Sequence, residues 1–356
     1  MSEPQSQTRL RWGVLGSGEI ATVFCNALRF SHTGILYAIA SEHSRGAERL
    51  GARFGCHHCY SSYAELLADA NVDVVYIANL NMDHARCAIA AARARKHILV
   101  EKPLALNAIE AQRVINAARV ADVFLMEGFM YRCHPQLRTA RSLLSSGTIG
   151  EVRHIEASFG YVASEDPNAR IYRPEWGGGA LLDVGCYPVS MARWVAGATQ
   201  DLPFAEPDVL RAAGVIGPTG VDLHSSAVLT FSGGLIATLS TSVMADLPNH
   251  VVITGTQGAL IFSEPWLPST RCRDSAVPLP EDTTFPSATL TIRRATGLHR
   301  ATEERVVIDV DRDLFSYEID AVAAKLARRQ APEMSWADSL GNLSTLDRWR
   351  EALYDK

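Results

Sequence analysis

The stretch Arg11-Trp-Gly-Val-Leu-Gly-Ser-Gly-Glu-Ile-Ala21 constrains this chain more than any other. Its apolar start predicts a short strand that stops at Gly16-x-Gly18-x-x-Ala21. Residues 20–30 then carry a helical pattern, and residues 35–40 a second apolar strand. Strand, glycine turn, helix and strand within about thirty residues is the context in which such glycines cradle a phosphate. The first glycine permits the tight turn and the second lets the backbone approach a pyrophosphate. The third position, here Ala21, must stay small for helix–strand packing. The helix start offers unpaired N–H groups and the positive end of its dipole to an anion. Gly16, Gly18, Glu19 and Ile20 are therefore the expected phosphate-side residues.

The alternation continues. Helical patterns over 46–54, 63–68, 84–95 and 107–120 interleave with strands at 72–78, 97–100 and 123–126, plus a weak third strand before Tyr60. Such alternation predicts an α/β domain over 1–126, a doubly wound parallel sheet of Rossmann type with ligands at the carboxyl ends of its strands. After Gly150 the rhythm changes. Strands at 152–161, 225–243 (split by Ser-Gly-Gly), 250–262, 288–294 and 305–310 are joined by tight turns. They predict an α+β domain over 127–356 with a large, open, mainly antiparallel sheet, closed by helices at 314–329 and 336–354. A chain of 356 residues suits two such domains.

Composition removes several function classes. A net charge of −5 without a basic cluster argues against a nucleic-acid partner. The polar start Met1–Thr8 and the absence of a run of ~18 apolar residues predict no membrane segment and a cytoplasmic chain. Seven scattered cysteines fit reduced thiols. Cys56-His-His-Cys59 resembles half a zinc site, but no second pair follows at a suitable distance, so no metal is expected.

Two motifs carry chemistry. His97-Ile-Leu-Val-Glu-Lys-Pro103 places Glu101 and Lys102 at the carboxyl end of a central strand, on the ligand edge. Gly177-Gly-Gly179 precedes a helix predicted over 180–196, whose i,i+4 spacing sets Asp183 and Tyr187 on one face. Together with the glycine turn and Asn81-Met-Asp-His84, these motifs resemble the glucose–fructose oxidoreductase/inositol dehydrogenase (Gfo/Idh/MocA) family, in order along nearly the whole chain. Met126-Glu-Gly-Phe-Met-Tyr-Arg-Cys-His-Pro135 and Phe262-Ser-Glu-Pro-Trp-Leu-Pro268 are most similar to its dimeric dihydrodiol dehydrogenase and D-xylose dehydrogenase branch.

The resemblance implies an NAD(P)-dependent oxidoreductase that interconverts a secondary alcohol with a ketone or lactone. The substrate would be a sugar, a sugar derivative or a cyclic diol. It gives Lys102 the role of a fixed cation turned toward substrate by a cis bond to Pro103, with Glu101 holding Lys102 or the cofactor. Asp183 would orient the hydroxyl, and Tyr187, where many members carry His, would be the acid/base. A phenol is a poor base unless positive charge lowers its pKa, and Lys102 with an oxidised nicotinamide is expected to supply that charge. Asn79, Asn81 and His84 are expected in the cofactor pocket, and Arg132, Tyr161 and Trp176 on the substrate wall. After the second strand, Ser41-Glu42 favours ribose hydroxyls over a 2′-phosphate, while Arg45 could pair with one. NAD is therefore favoured over NADP by a small margin. Residues 235–243 alternate apolar with Ser and Thr, and the resemblance implies that such a sheet face forms a homodimer or homotetramer interface. Two other readings remain. A silent NAD(P)-binding regulator would need none of Lys102, Asp183 and Tyr187. A biliverdin-reductase-like enzyme fits that set less well than alcohol chemistry does.

Overall fold

The computed structural model describes residues 9–43, 45–164, 166–297 and 300–354; the polar start Met1–Thr8 lies outside them. Six parallel strands, β1 (Leu10–Leu15), β2 (Gly34–Ala40), β3 (His58–Tyr60), β4 (Val74–Ile77), β5 (His97–Glu101) and β6 (Leu125–Gly128), form the first sheet in the order β3-β2-β1-β4-β5-β6. Helices α1 (Glu19–Leu28), α2 (Gly46–Phe54), α3 (Tyr63–Ala68), α4 (Asn81–Arg93) and α5 (Ala108–Ala121) connect them. With helices on both faces, β4 is buried along its whole length, which explains its unbroken apolar run. The strand order reverses between β1 and β4, and this switch point opens a crevice at the carboxyl ends of the strands. Asn107 caps α5, as its position before the apolar pattern suggests.

The expected boundary at 126 falls inside β6. Glu127 and Gly128 pair with Val100 and Glu101, so the sheet needs both residues to match the end of β5. Helices α6 (Met130–Cys133) and α7 (Pro135–Ser145) then lead into the second sheet. Its strands are β7 (Val152–Gly160), β8 (Val209–Ile216), β9 (Asp222–Phe231), β10 (Leu235–Ser242), β11 (Val251–Gly255), β12 (Gly258–Phe262), β13 (Ala288–Gly297) and β14 (Arg300–Ile308), in the order β14-β13-β12-β11-β7-β10-β9-β8. The sheet is antiparallel except that β7 runs parallel to β10. Strand β8 has no counterpart in the sequence reading. It is an edge strand that buries only Leu210, so no alternation marks it.

Helix α8 (Cys186–Ala198) packs between this sheet and the last helix, and all of its residues are buried. That last helix is α10 (Trp336–Tyr354); α9 (Leu314–Lys325) returns to the first domain, where the Ser316 hydroxyl donates to the Ala27 carbonyl at 2.8 Å. The single helix expected over 180–196 is instead a π-helical turn, Leu181–Gly185, that runs into α8. Asp183 and Tyr187 therefore do not share one regular α-helical face. Asp183 lies in the wide turn and Tyr187 in the helix proper.

Candidate active site

The glycine turn has the geometry of a phosphate cradle. Gly16 adopts φ +119°, and a Cβ there would stand 2.5 Å from the Ala78 carbonyl oxygen. No atom lies within 4 Å of where a Cβ on Gly18 would point, so a ligand can come against its backbone. Gly18 caps α1 without a side-chain acceptor, leaving the first N–H groups of the helix to an anion. Glu19 and Ile20 form the first turn, and Ala21 is buried beneath it. These features fit a dinucleotide pyrophosphate.

At the end of β2 the Ser41 hydroxyl meets that of Ser17 at 3.0 Å. Glu42 is exposed and lies 3.6 Å from Arg86 of α4, which also pairs with Asp83 at 2.9 Å. Arg45 is exposed in a left-handed conformation at the start of α2. Asn79 donates its amide to the Cys87 sulfur. The thiols of Cys56 and Cys59 donate to backbone carbonyls, those of Tyr37 and Ala47 among them.

The Glu101-Lys102-Pro103 corner is held from three sides, and its Lys102–Pro103 peptide is cis. The Tyr76 hydroxyl donates to Glu101 at 2.5 Å, and Tyr76 stacks on Phe24 of α1 with ring centres 3.7 Å apart. Burial pushes the Glu101 carboxyl up, against the opposing pull of Lys102 and Tyr76. His84 was expected to line the cofactor pocket, and the fold buries it instead. Its ring nitrogens face the Pro103 carbonyl at 2.7 Å and the Asn79 carbonyl at 3.2 Å, which ties the corner to the end of β4. Burial lowers its pKa. Asn81 donates to the Gly177 carbonyl at 3.1 Å, joining α4 to the glycine run.

Lys102, Asp183 and Tyr187 come together. The Lys102 ammonium donates to the backbone carbonyl of Asp183 at 2.7 Å and lies 5.4 Å from the centre of the Tyr187 ring. The Asp183 carboxylate accepts from the Tyr161 hydroxyl at 2.5 Å and from Arg170 at 2.9 Å. Burial acts to raise its pKa, but Lys102, Arg170 and Tyr161 together hold it below the ordinary carboxylate value. Tyr187 sits in an aromatic cage of Phe129, Tyr131, Phe159 and Trp266, with ring centres 5.2–5.8 Å away. Its hydroxyl points to the Met130 sulfur at 3.8 Å.

The expected lowering of the Tyr187 pKa is not what this packing produces. Burial, then Cys186 and Glu101, push the phenol well above its ordinary value, and Arg273 opposes them. No hydrogen-bond donor faces the phenol oxygen among the described residues. Tyr187 is held in its neutral form.

Tyr161 reaches the site through Asp183. Trp176 is half-buried under the Arg173 guanidinium, 5.2 Å from its ring centre, just before the glycine run. Arg132 does not reach the substrate wall. It is buried, donating to Ser190 and to Asp338, both at 2.8 Å, because α6 turns it toward α8 and α10. The sequence reading missed Arg170, Phe159 and Trp266. Arg170 lies in an irregular loop without periodicity. The available signal was Gly177-Gly-Gly179, since three glycines in a row imply that another segment lies against them.

Comparison with known proteins agrees with this geometry. Residues 10–129 match the "Oxidoreductase family, NAD-binding Rossmann fold", and residues 137–261 match the "GFO/IDH/MocA C-terminal domain". The trans-1,2-dihydrobenzene-1,2-diol dehydrogenase of Danio rerio is 33% identical over 83% of this chain and 86% of its own. That of Xenopus tropicalis is 37% identical over 73% and 77%. Among solved structures, KijD10, a 3-ketoreductase from Actinomadura kijaniata in complex with NADP and TDP-benzene, superposes with a TM-score of 0.82. It is 29% identical and covers 97% of this chain and 98% of its own. The chain belongs to the Gfo/Idh/MocA oxidoreductase family. It is an oxidoreductase of the NAD- or NADP-dependent kind that acts on CH–OH donors. Among the described residues no helix is long and apolar enough to cross a membrane.

Proposed function

We propose that this protein interconverts a secondary alcohol and its ketone or lactone on a sugar, a sugar derivative or a cyclic diol. Tyr187 acts as the acid/base, assisted by Lys102 and Asp183. The observation that carries this reading is the position of the Lys102 ammonium, 2.7 Å from the Asp183 carbonyl and 5.4 Å from the Tyr187 ring centre, at the carboxyl end of β5. NAD(P), when bound, supplies or accepts the hydride. Gly16, Gly18 and the start of α1 hold its pyrophosphate, and Ser41 and Glu42 face its adenosine ribose.

In the reduction direction Tyr187, neutral in its cage, gives its proton to the ketone oxygen; in the oxidation direction its phenolate, balanced by the Lys102 charge, takes the alcohol proton. The Lys102 charge lowers the energy of the developing alkoxide. Asp183 is ionised, and a carboxylate has about four acceptor sites. Tyr161 and Arg170 occupy two of them, leaving room for a substrate hydroxyl. The half-buried Phe159 ring, stacked on the buried Trp266 with centres 5.8 Å apart, offers a flat face to a cyclic substrate. The names of the dihydrodiol dehydrogenase and ketoreductase relatives support a ring-shaped substrate.

A panel of aldoses, inositols, anhydrosugars and trans-dihydrodiols, scored by NAD(P)H absorbance, tests the reading. Turnover on at least one class is expected. Binding of NAD(P) without turnover of any class would instead support a silent regulator.

A further inference from the structure

The chemistry proposed above gives Arg170 no task of its own, yet the fold places it with care. Arg170 opens a short 3-10 turn, Arg170–Tyr172, followed by a second, Pro174–Trp176. Both lie directly on the glycine run. The Gly178 N–H donates to the Arg173 carbonyl at 3.0 Å and the Gly179 N–H to the Ile171 carbonyl at 2.9 Å. A Cβ on Gly178 would stand 2.6–2.9 Å from the carbonyls of Ile171, Arg170 and Arg173, so only glycine lets the turn come this close. The same run is fastened to the dinucleotide side of the crevice by Asn81. Arg170 is thereby held where the substrate half and the phosphate half of the site meet.

Its side chain is 49% exposed, whereas that of its partner Asp183 is 7% exposed. One nitrogen donates to Asp183; the other donors have no protein acceptor among the described residues. Besides Asp183, the carboxylate whose charge raises the Arg170 pKa is Glu19, in the first turn of α1 beside the phosphate cradle. A half-exposed guanidinium with one arm on a buried carboxylate and further donors unused, on a loop that Asn81 ties to the dinucleotide side, has the fork that recognises phosphate.

We propose that Arg170 is a binding residue shared by the two halves of the site, holding Asp183 with one arm and a phosphate of the bound dinucleotide with the other. Dinucleotide binding then fixes the Asp183 carboxylate for substrate. This rests on the dinucleotide reading of the Gly16–Ala21 turn.

The test uses the full chain, with NADH and NADPH titrated by fluorescence at low and high salt. Arg170→Gln should weaken binding about tenfold, the effect of one charge-assisted hydrogen bond, and should flatten the salt dependence. Arg170→Lys should recover part of the loss. A Gln variant with parental affinity and salt dependence would overturn the proposal, because Arg170 would then serve Asp183 alone. A second measurement covers the case of a variant that fails to fold. In the parent, phenylglyoxal should modify Arg170, and saturating NADH should protect it, as read by peptide mass spectrometry. Modification at an unchanged rate would overturn the proposal. A parent that binds neither dinucleotide would instead overturn the reading beneath it.

Discussion

Lys102 has its ammonium on a carbonyl oxygen and over a phenol ring, so its charge is felt in the site without being tied up in an ion pair. Lys102→Met keeps the length and removes the charge, and turnover should fall by at least ~10²-fold. Dinucleotide affinity should persist, because Gly16, Gly18 and the start of α1 grip the pyrophosphate independently. Tyr187→Phe should lose about as much, and the double variant little more, since residues acting as one unit are non-additive. Measuring kcat for both singles and the double, beside cofactor titration, decides this; full additivity would mean that the two act separately. A second expectation concerns Glu42. In the proposed binding mode its carboxylate meets the adenosine ribose, so the parent should accept NAD at least comparably to NADP. Glu42→Arg should shift the ratio of kcat/KM values toward NADP by about tenfold, as expected for one charge-assisted contact. A strong NADP preference in the parent would show that Arg86 or Arg45 already holds the 2′-phosphate. At this scale the sequence displays residue types at strand ends and after glycine runs, which is why the meeting of Lys102 with Asp183 was legible. It does not display direction, so His84 and Arg132 were read as pocket residues when the fold turns both inward.

The element that most shapes the site is the π-helical turn that follows the glycine run. Its Asp183 carbonyl accepts the Lys102 ammonium while its Asp183 side chain accepts Tyr161 and Arg170. One residue thus meets both halves of the cleft. Gly178→Ala tests whether the turn above it matters. The added methyl would press on three backbone carbonyls, which cannot rotate away as a side chain would. The Arg170 turn should lift, and kcat/KM should fall by more than tenfold, of the order of the 1–3 kcal/mol typical of such strain. A urea midpoint near the parent's would separate this local effect from general unfolding. Parental kinetics would show that the close approach has no bearing on the site. Elements with apolar periodicity were legible before any coordinates, down to the ends of α2 and α3. The exceptions share a cause. Strand β8 buries only Leu210, and the π-helical turn differs from an α-helix only in its hydrogen bonding. Neither leaves a mark in the pattern of apolar residues.

For the whole molecule, Asp338 is the buried tie between α6, α8 and α10. Its carboxylate takes Arg132 at 2.8 Å and Arg193 at 2.6 Å, and all three side chains are almost wholly buried. Asp338→Ala would leave the buried Arg132 without a carboxylate and Arg193 with Glu206 alone, and should cost about 3–5 kcal/mol in urea denaturation. A loss under 1 kcal/mol would mean that the arginines find other partners. The last expectation concerns the sheet face that α8 leaves uncovered. In register across β9 and β10 it presents Val228 and Thr238, Thr230 and Ile236, and Ser226 and Ser240. Val228 is 44% exposed and Ile236 41%. The serine hydroxyls meet at 2.9 Å, and Thr238 meets His154 at 3.1 Å, so the polar groups of this face are largely paired within the sheet. The middle of this face, with its hydroxyls satisfied and its valine and isoleucine half-exposed, meets charge at its flanks, where Arg211 of β8 lies beside Val228 and Glu156 of β7 beside Thr238. Packing on a second copy about a twofold axis would cover the same patch on both chains. The protein should therefore sediment as a dimer or a tetramer at micromolar concentration. Ile236→Glu should shift it toward a smaller species while leaving the folded signal intact, because the side chain points away from the core. A parent that sediments as a monomer would refute the interface outright.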